Sequence, residues 1–244
     1  AIFNLGITLE SMGKLHSAEL IYARALECRP NLAEPHYNLG VVLKDLCKFD
    51  ISEKHLKKAI AINSSYAPAY NNLSVTFLKK GNFKEGFRLA EWRWKIEQPI
   101  GHELVSAKPK WTGEKGGIVF VWSEQGVGDV VMYASVIKDL KAVCSKVILR
   151  CDGRLKPLFE RSFSGNITFI SNKTMVPESS YDYHIAIGSL PLFFREDAES
   201  FQKGADAFLY ADADRVDGLR EKLKAGGGQT ICGISWRGGD KKNS

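Results

Sequence analysis

The sequence repeats itself with a period of 34. Leu5, Leu39 and Leu73 share one column, Gly6, Gly40 and Ser74 the next, and Leu9, Leu43 and Phe77 a third. Later in each unit Ala18, Ser52 and Gly86 align, then Tyr22, Leu56 and Ala90. Ala25 and Ala59 align with Arg93, where the pattern fails. Apolar residues at i, i+3 or i+4, and i+7 make one helix per half-unit. The small residues at 6/40/74 and 18/52/86 mark where two antiparallel helices must approach closely. Pro30 closes the first unit, and Pro35 and Pro68 suit the first turn of the next helix, where a missing N–H costs nothing. Such units bury their apolar faces only against neighbours. Three of them are expected over residues 1–99. No polar cap precedes the first unit, and residue 1 is an Ala already inside a helical pattern. The expectation is a chain without a signal peptide that begins inside a longer protein, with further repeats before residue 1.

These columns resemble the tetratricopeptide repeat, a helix–turn–helix unit of 34 residues. One column is polar: Asn4, Asn38 and Asn72 recur just before the Leu–Gly pair. The resemblance implies that this position faces the concave groove of a repeat superhelix. An amide carries a donor and an acceptor, so a stacked row of Asn side chains can pair with the backbone of an extended peptide. The arrangement is similar to the asparagine ladder of the O-linked N-acetylglucosamine transferase repeats. The alternative is that each Asn only caps or solvates its helix. On the first reading a protein or peptide partner occupies the groove.

Composition narrows the remaining classes. The formal net charge of +6 divides into +4 over 1–99 and +2 over the rest, and Lys57-Lys58, Lys79-Lys80 and Lys241-Lys242 are isolated doublets. A nucleic-acid footprint needs basic residues gathered on one face, so none is expected. No apolar run reaches the ~18 residues of a membrane span. Cys28, Cys47, Cys144, Cys151 and Cys232 form no C-x-x-C pair, which gives no support to a metal site and suits reduced thiols in a cytoplasmic protein.

After residue 99 the period changes. Residues 100–116 hold scattered Gly and Pro around Trp111 and read as a linker. Ile118–Ser123 is a continuous apolar run of the kind a buried parallel strand shows. Further strands are expected over 146–151, 166–171, 183–187 and 230–236, with helices near 130–143, 153–163, 189–195 and 213–225. The alternation predicts a Rossmann-like, doubly wound parallel sheet, so the fold class is helical repeats followed by α/β. At the first strand–helix junction stands Glu124-Gln125-Gly126-Val127-Gly128-Asp129. Gly126 and Gly128 allow a sharp turn with close backbone approach, and the N–H groups opening the next helix favour an anion. Val131 replaces the third glycine of the dinucleotide fingerprint. Asp129 is either a reactive carboxylate or a charge placed at the positive end of a helix dipole.

The stretch from Gly86 to Trp236 resembles bacterial proteins in which tetratricopeptide repeats precede a heptosyltransferase-like glycosyltransferase domain of the two-Rossmann GT-B class. The matching motifs are Glu91-Trp92-Arg93-Trp94, Trp111-Thr112-Gly113, Ser123 to Asp129, Tyr181-Asp182-Tyr183-His184, Ser189-Leu190-Pro191 and Gly233-Ile234-Ser235-Trp236. That family has an Arg-Tyr pair shortly after the Asp, where this chain has Ser135-Val136. The resemblance implies an N-terminal glycosyltransferase half over 117–228 and the start of a second half over 229–244. It implies Asp129 as the base on the acceptor hydroxyl, with Glu124, Gln125, Gly126, Gly128, Arg237 and Lys241 toward the substrate and the phosphates of a nucleotide-sugar donor. No other cofactor is implied. Beside these roles stands a plainer reading, with Arg237 and Lys241 as solvated chain, His184 as a hydrogen-bonded core residue rather than a catalytic group, and Trp92, Trp94 and Trp111 as a packed junction rather than a sugar platform. Two functions follow from the sequence: part of a sugar transferase whose repeats recruit a partner, or a non-enzymatic repeat scaffold.

Overall fold

The computed structural model describes residues 2–97, 103–124, 126–202 and 207–224. Six helices come first, in three pairs: α1 (Ile2–Ser11) with α2 (Leu15–Cys28), α3 (Ala33–Asp45) with α4 (Phe49–Ile62), and α5 (Ala67–Lys79) with α6 (Phe83–Ala90). A 3-10 turn, Glu91–Lys95, extends the last helix. The small columns are the helix contacts. A Cβ on Gly6 would lie 2.4 Å from the Tyr22 ring, and one on Gly40 2.7 Å from Leu56 Cγ. Where Ser replaces Gly its hydroxyl is used: Ser52 Oγ donates to Gly40 O at 2.7 Å, and Ser74 Oγ to Gly86 O at 2.7 Å. The leucine column shows why the units need one another. Leu39 and Leu73 are buried, whereas Leu5 is 49% exposed because no helix among the described residues packs on its face.

Each pair turns on one left-handed residue, Gly13 (φ 72°), Cys47 (φ 59°) and Gly81 (φ 79°). The following residue closes the turn, with Lys14 N donating to Leu9 O, Lys48 N to Leu43 O and Asn82 N to Phe77 O, at 2.8–2.9 Å. This is the Schellman arrangement, which favours Gly at the left-handed position.

The second region is a parallel sheet of four strands, β1 (Ile118–Trp122), β2 (Lys146–Cys151), β3 (Ile167–Ser171) and β4 (Tyr183–Ala186), in the order β3-β2-β1-β4. Between β1 and β2 the sequence pattern predicts one helix over 130–143. The structure has α7 (Val127–Tyr133) and α8 (Ile137–Val143), separated by a 3-10 turn at Ala134–Val136 that buries Ala134 and Val136. Short helices follow: α9 (Lys156–Ser162), α10 (Pro191–Phe194), α11 (Ala198–Gln202) and α12 (Ala213–Lys224). The strand expected at 230–236 lies outside the described residues.

The two sheet faces are covered differently. Val119, Val121, Val147, Leu149 and Ile185 face a core shared with α7, α8 and α9. The opposite face, with Phe120, Trp122 and Ile148, packs against Tyr181 and against Trp94 and Leu104 from before the sheet. A doubly wound sheet carries helices on both faces; here, among the described residues, the second face packs against Trp94 at the end of the repeats together with Leu104, Val176 and Tyr181. Part of the expected linker belongs to the sheet edge. Lys110 bridges His184 in parallel, Trp111 N donates to His184 O at 2.9 Å, and Trp111 is buried. No helix among the described residues is long and apolar enough to cross a membrane.

Candidate functional site

From β1 the chain runs to β2 and β3 on one side, and β4 returns on the other. The strand order therefore reverses between β1 and β4. In open α/β sheets ligands bind at such a switch point, outside the carboxyl ends of the strands. Here those ends are Ser123–Asp129 after β1 and Ile187–Ser189 after β4.

Glu124 lies inside this junction with a fully buried side chain. Its Oε1 accepts from Gly188 N at 3.2 Å and from Arg93 Nη2 at 3.2 Å. Burial pushes the Glu124 carboxyl above the usual carboxylate range, and the Arg93 charge and the Gly188 amide pull in the opposite direction. Arg93 comes from the 3-10 turn that ends the repeats. It also donates to Ser189 Oγ at 2.7 Å and to Glu91 Oε1 at 2.6 Å, and the Ser189 hydroxyl in turn donates to Glu91 Oε1 at 2.7 Å. Two buried atoms of this cluster, Arg93 Nε and Glu124 Oε2, have no hydrogen-bond partner among the described residues.

Asp129 stands in the first turn of α7, half-buried. A Cβ on Gly128 would meet nothing within 4 Å, and one on Gly126 would meet only Asp129 Oδ2, at 3.5 Å. The space beside the turn is open, so the glycines do not serve internal packing. Tyr133, one turn along α7, has its phenol pushed above its ordinary value, mainly by burial. The junction thus combines an accessible carboxylate, a buried carboxylate–guanidinium pair and a hydroxyl. Such a set can accept a proton and orient hydroxyl groups.

The aromatic residues hold the two regions together. Trp92 stacks on Tyr70 of α5 with ring centres 3.6 Å apart and planes within 4°. Trp94 packs on Trp122 at 5.5 Å, and Trp111 on Phe193 at 4.9 Å. A cavity of about 170 Å³ remains among Trp94, Trp111, Trp122, His184 and Phe193. His184 is buried and receives Trp122 Nε1–H on Nδ1 at 3.3 Å. Accepting that bond needs an unprotonated Nδ1, and burial pushes the His184 pKa below its ordinary value.

The three asparagines are placed differently. Asn4 is exposed, and Asn38 is half-buried in the wall of a groove of about 590 Å³ with Glu10, Tyr37, Val41, Asp45 and Tyr66. Asn72 is engaged within the protein: its Oδ1 accepts from Lys44 Nζ at 2.8 Å, and its Nδ2 donates to Tyr37 Oη at 3.3 Å and Pro68 O at 3.2 Å. An unbroken ladder of free amides is therefore not what these residues form. The structure brings Glu124, Gly126, Gly128 and Asp129 together. Gln125, Arg237 and Lys241 lie outside the described residues. Sequence reasoning did not include Arg93, Glu91 or Ser189 among the site residues. The failure of the helical column at Arg93 was the available signal.

No family model matches this chain. It is similar to Protein FlbA of Caulobacter vibrioides, 24% identical over 254 residues, in an alignment covering 96% of this chain and 42% of that protein. The chain thus spans less than half of that relative's length. Among solved structures, MamA is 24% identical over 37% of this chain and 50% of its own, with a TM-score of 0.36. The first TPR of Spaghetti (RPAP3), bound to the HSP90 peptide SRMEEVD, is 22% identical over 37% of this chain and 72% of its own, with a TM-score of 0.37. The Arabidopsis OM64 TPR domain is 19% identical over 36% and 73%, with a TM-score of 0.36.

Proposed function

We propose that this chain is the acceptor-side portion of a sugar-transferring enzyme, with helical repeats that dock a protein or peptide near the reactive site. The observation that carries this reading is the placement of Asp129. It stands at the β1/β4 switch point, accessible, beside a turn whose glycines leave room for a substrate. Sugar transfer to a hydroxyl needs a base beside the incoming oxygen, and Asp129 is the carboxylate available for that role. The donor's diphosphate needs compensating positive groups, and Arg237 and Lys241 are assigned to it by this reading. The resemblance to GT-B glycosyltransferases supports the same roles.

The test uses the intact protein and a panel of radiolabelled nucleotide-sugars. A general base is worth about 10²–10⁴-fold in rate, so Asp129→Asn should lower sugar transfer by that factor with little change in donor affinity. Activity within a few-fold of wild type removes Asp129 from the mechanism. The second reading is a repeat scaffold without catalysis, favoured by the groove around Asn38 and Tyr37. Absence of transfer from every donor, together with retained partner binding, selects it.

A further inference from the structure

Arg93 belongs to the repeats by sequence and to the switch point by contact. The turn that carries it is clamped from both sides, Trp92 on Tyr70 of the last repeat and Trp94 on Trp122 of β1. Between those anchors the Arg93 guanidinium lies 4.4 Å from the Trp94 ring centre and reaches both strand ends. It meets Glu124 after β1 and Ser189 after β4. Glu124 is fully buried, and among the described residues Arg93 is the cation it pairs with. A buried carboxylate without its counter-charge is strongly unfavourable. The position of Glu124, five residues before Asp129, thus depends on a side chain supplied from outside the sheet.

We propose that Arg93 is a positioning residue: it holds Glu124 and Ser189 in place and so sets the shape of the turn that presents Asp129. The consequence for catalysis rests on the reading of Asp129 as the base; the geometric claim does not. If it holds, the switch point cannot keep its shape apart from the last repeat, and movement of the repeats reaches the site through this side chain.

Amide hydrogen exchange resolved by NMR on the 244-residue chain tests this without any substrate. Gly188 N–H is held by Glu124 itself, and Val130 N–H closes the α7 turn onto Gly126 O. In Arg93→Met both amides should exchange at least tenfold faster, whereas amides of β2 should change less than twofold. Leu43→Ala, a truncation in the core shared by α2 and α3, should accelerate exchange within α3 and leave Gly188 and Val130 unchanged. If Arg93→Met does not fold, Arg93→Lys, which keeps the charge but loses the fork, should still accelerate Gly188 severalfold. Exchange at Gly188 and Val130 within twofold of wild type in the folded variant overturns the proposal, as does equal acceleration in Leu43→Ala. Asp129→Asn should leave both amides unchanged. Activity loss in Asp129→Asn with no exchange effect in Arg93→Met overturns the positioning claim alone, and an exchange effect in Arg93→Met without activity loss in Asp129→Asn overturns the reading of Asp129 alone.

Discussion

Gly40 and Leu56 pack so closely that a single added carbon on Gly40 would stand 2.7 Å from Leu56 Cγ and 3.4 Å from Leu56 N. The neighbour is a branch point with backbone behind it, not a free side-chain end. Gly40→Ala should therefore lower stability despite the better helix propensity of Ala, which alone favours the variant by about 1 kcal/mol. Overpacking typically costs about 1–3 kcal/mol, so after that offset a net loss of up to about 2 kcal/mol in urea unfolding is expected. Gly128→Ala is the contrast. Nothing lies within 4 Å of its added carbon, and it should unfold at the same urea concentration or slightly higher. A stable Gly128→Ala with weakened sugar transfer would mark that space as used by substrate.

Much of the helical region could be read directly because its contacts are local. Leu39, Gly40, Ser52 and Leu56 lie within one unit, and the period displays their pairing. The parallel strands were legible as apolar runs, since Val119, Val121, Val147 and Leu149 face a covered core. What could not be read depends on contacts that have no period. Arg93 and Glu124 are 31 residues apart, and Arg93 and Ser189 are 96 apart. The Asn column was visible, but not the Lys44 and Tyr37 partners that engage Asn72 across units. The break between α7 and α8 leaves no Gly or Pro in the sequence; it follows from burying Ala134 and Val136 on the sheet.

Cys47 is the departure from the turn rule. It holds φ 59° where its counterparts are Gly13 and Gly81. A left-handed conformation costs an L-residue roughly 1–2 kcal/mol, and glycine's freer unfolded chain offsets about 0.4–1 kcal/mol of the gain. Cys47→Gly should stabilise the protein by about 0.5–1 kcal/mol in chemical unfolding. Cys47→Val, branched at Cβ, should be less stable than wild type. The opposite order would show that the Cys47 side chain makes a contact worth more than its strain.

The asparagine column divides into two roles. Asn72→Ala removes bonds to Lys44, Tyr37 and Pro68, and each such bond contributes about 0.5–1.5 kcal/mol. A stability loss of about 1–3 kcal/mol is expected. Asn38→Ala, in the groove wall, should change stability by less than about 0.5 kcal/mol while weakening a groove-bound peptide severalfold. Thermal unfolding and fluorescence-anisotropy titration on the same two variants check this. Equal stability losses would make both residues structural.

His36 and His55 give the fold a pH dependence of known sign. Their Nδ1 atoms are 3.0 Å apart, and His36 Nε2 lies 3.0 Å from Pro30 O. A carbonyl only accepts, so Nε2 carries the His36 proton and its Nδ1 accepts from His55. A first added proton leaves one hydrogen between the two nitrogens, because His55 can take its Nε2–H tautomer and accept; protonating both rings puts two hydrogens there and breaks that bond. Burial pushes both pKa values down, with nearby Lys58 adding to the effect on His36 and His36 itself adding to that on His55. Because the folded-state values lie below the unfolded value of about 6.5, the stabilisation is present above pH 6.5. It is lost as the pH falls through the folded-state values, where the unfolded chain binds more protons. Unfolding free energy measured at pH 7.5 and 5.0 should fall toward the acid side, and His55→Gln should flatten that dependence. Gln can still donate to His36 Nδ1, so the variant should retain most of its stability at pH 7.5. An unchanged pH slope in His55→Gln would show that the two rings titrate as solvent-exposed histidines do, and that the contact carries no linkage.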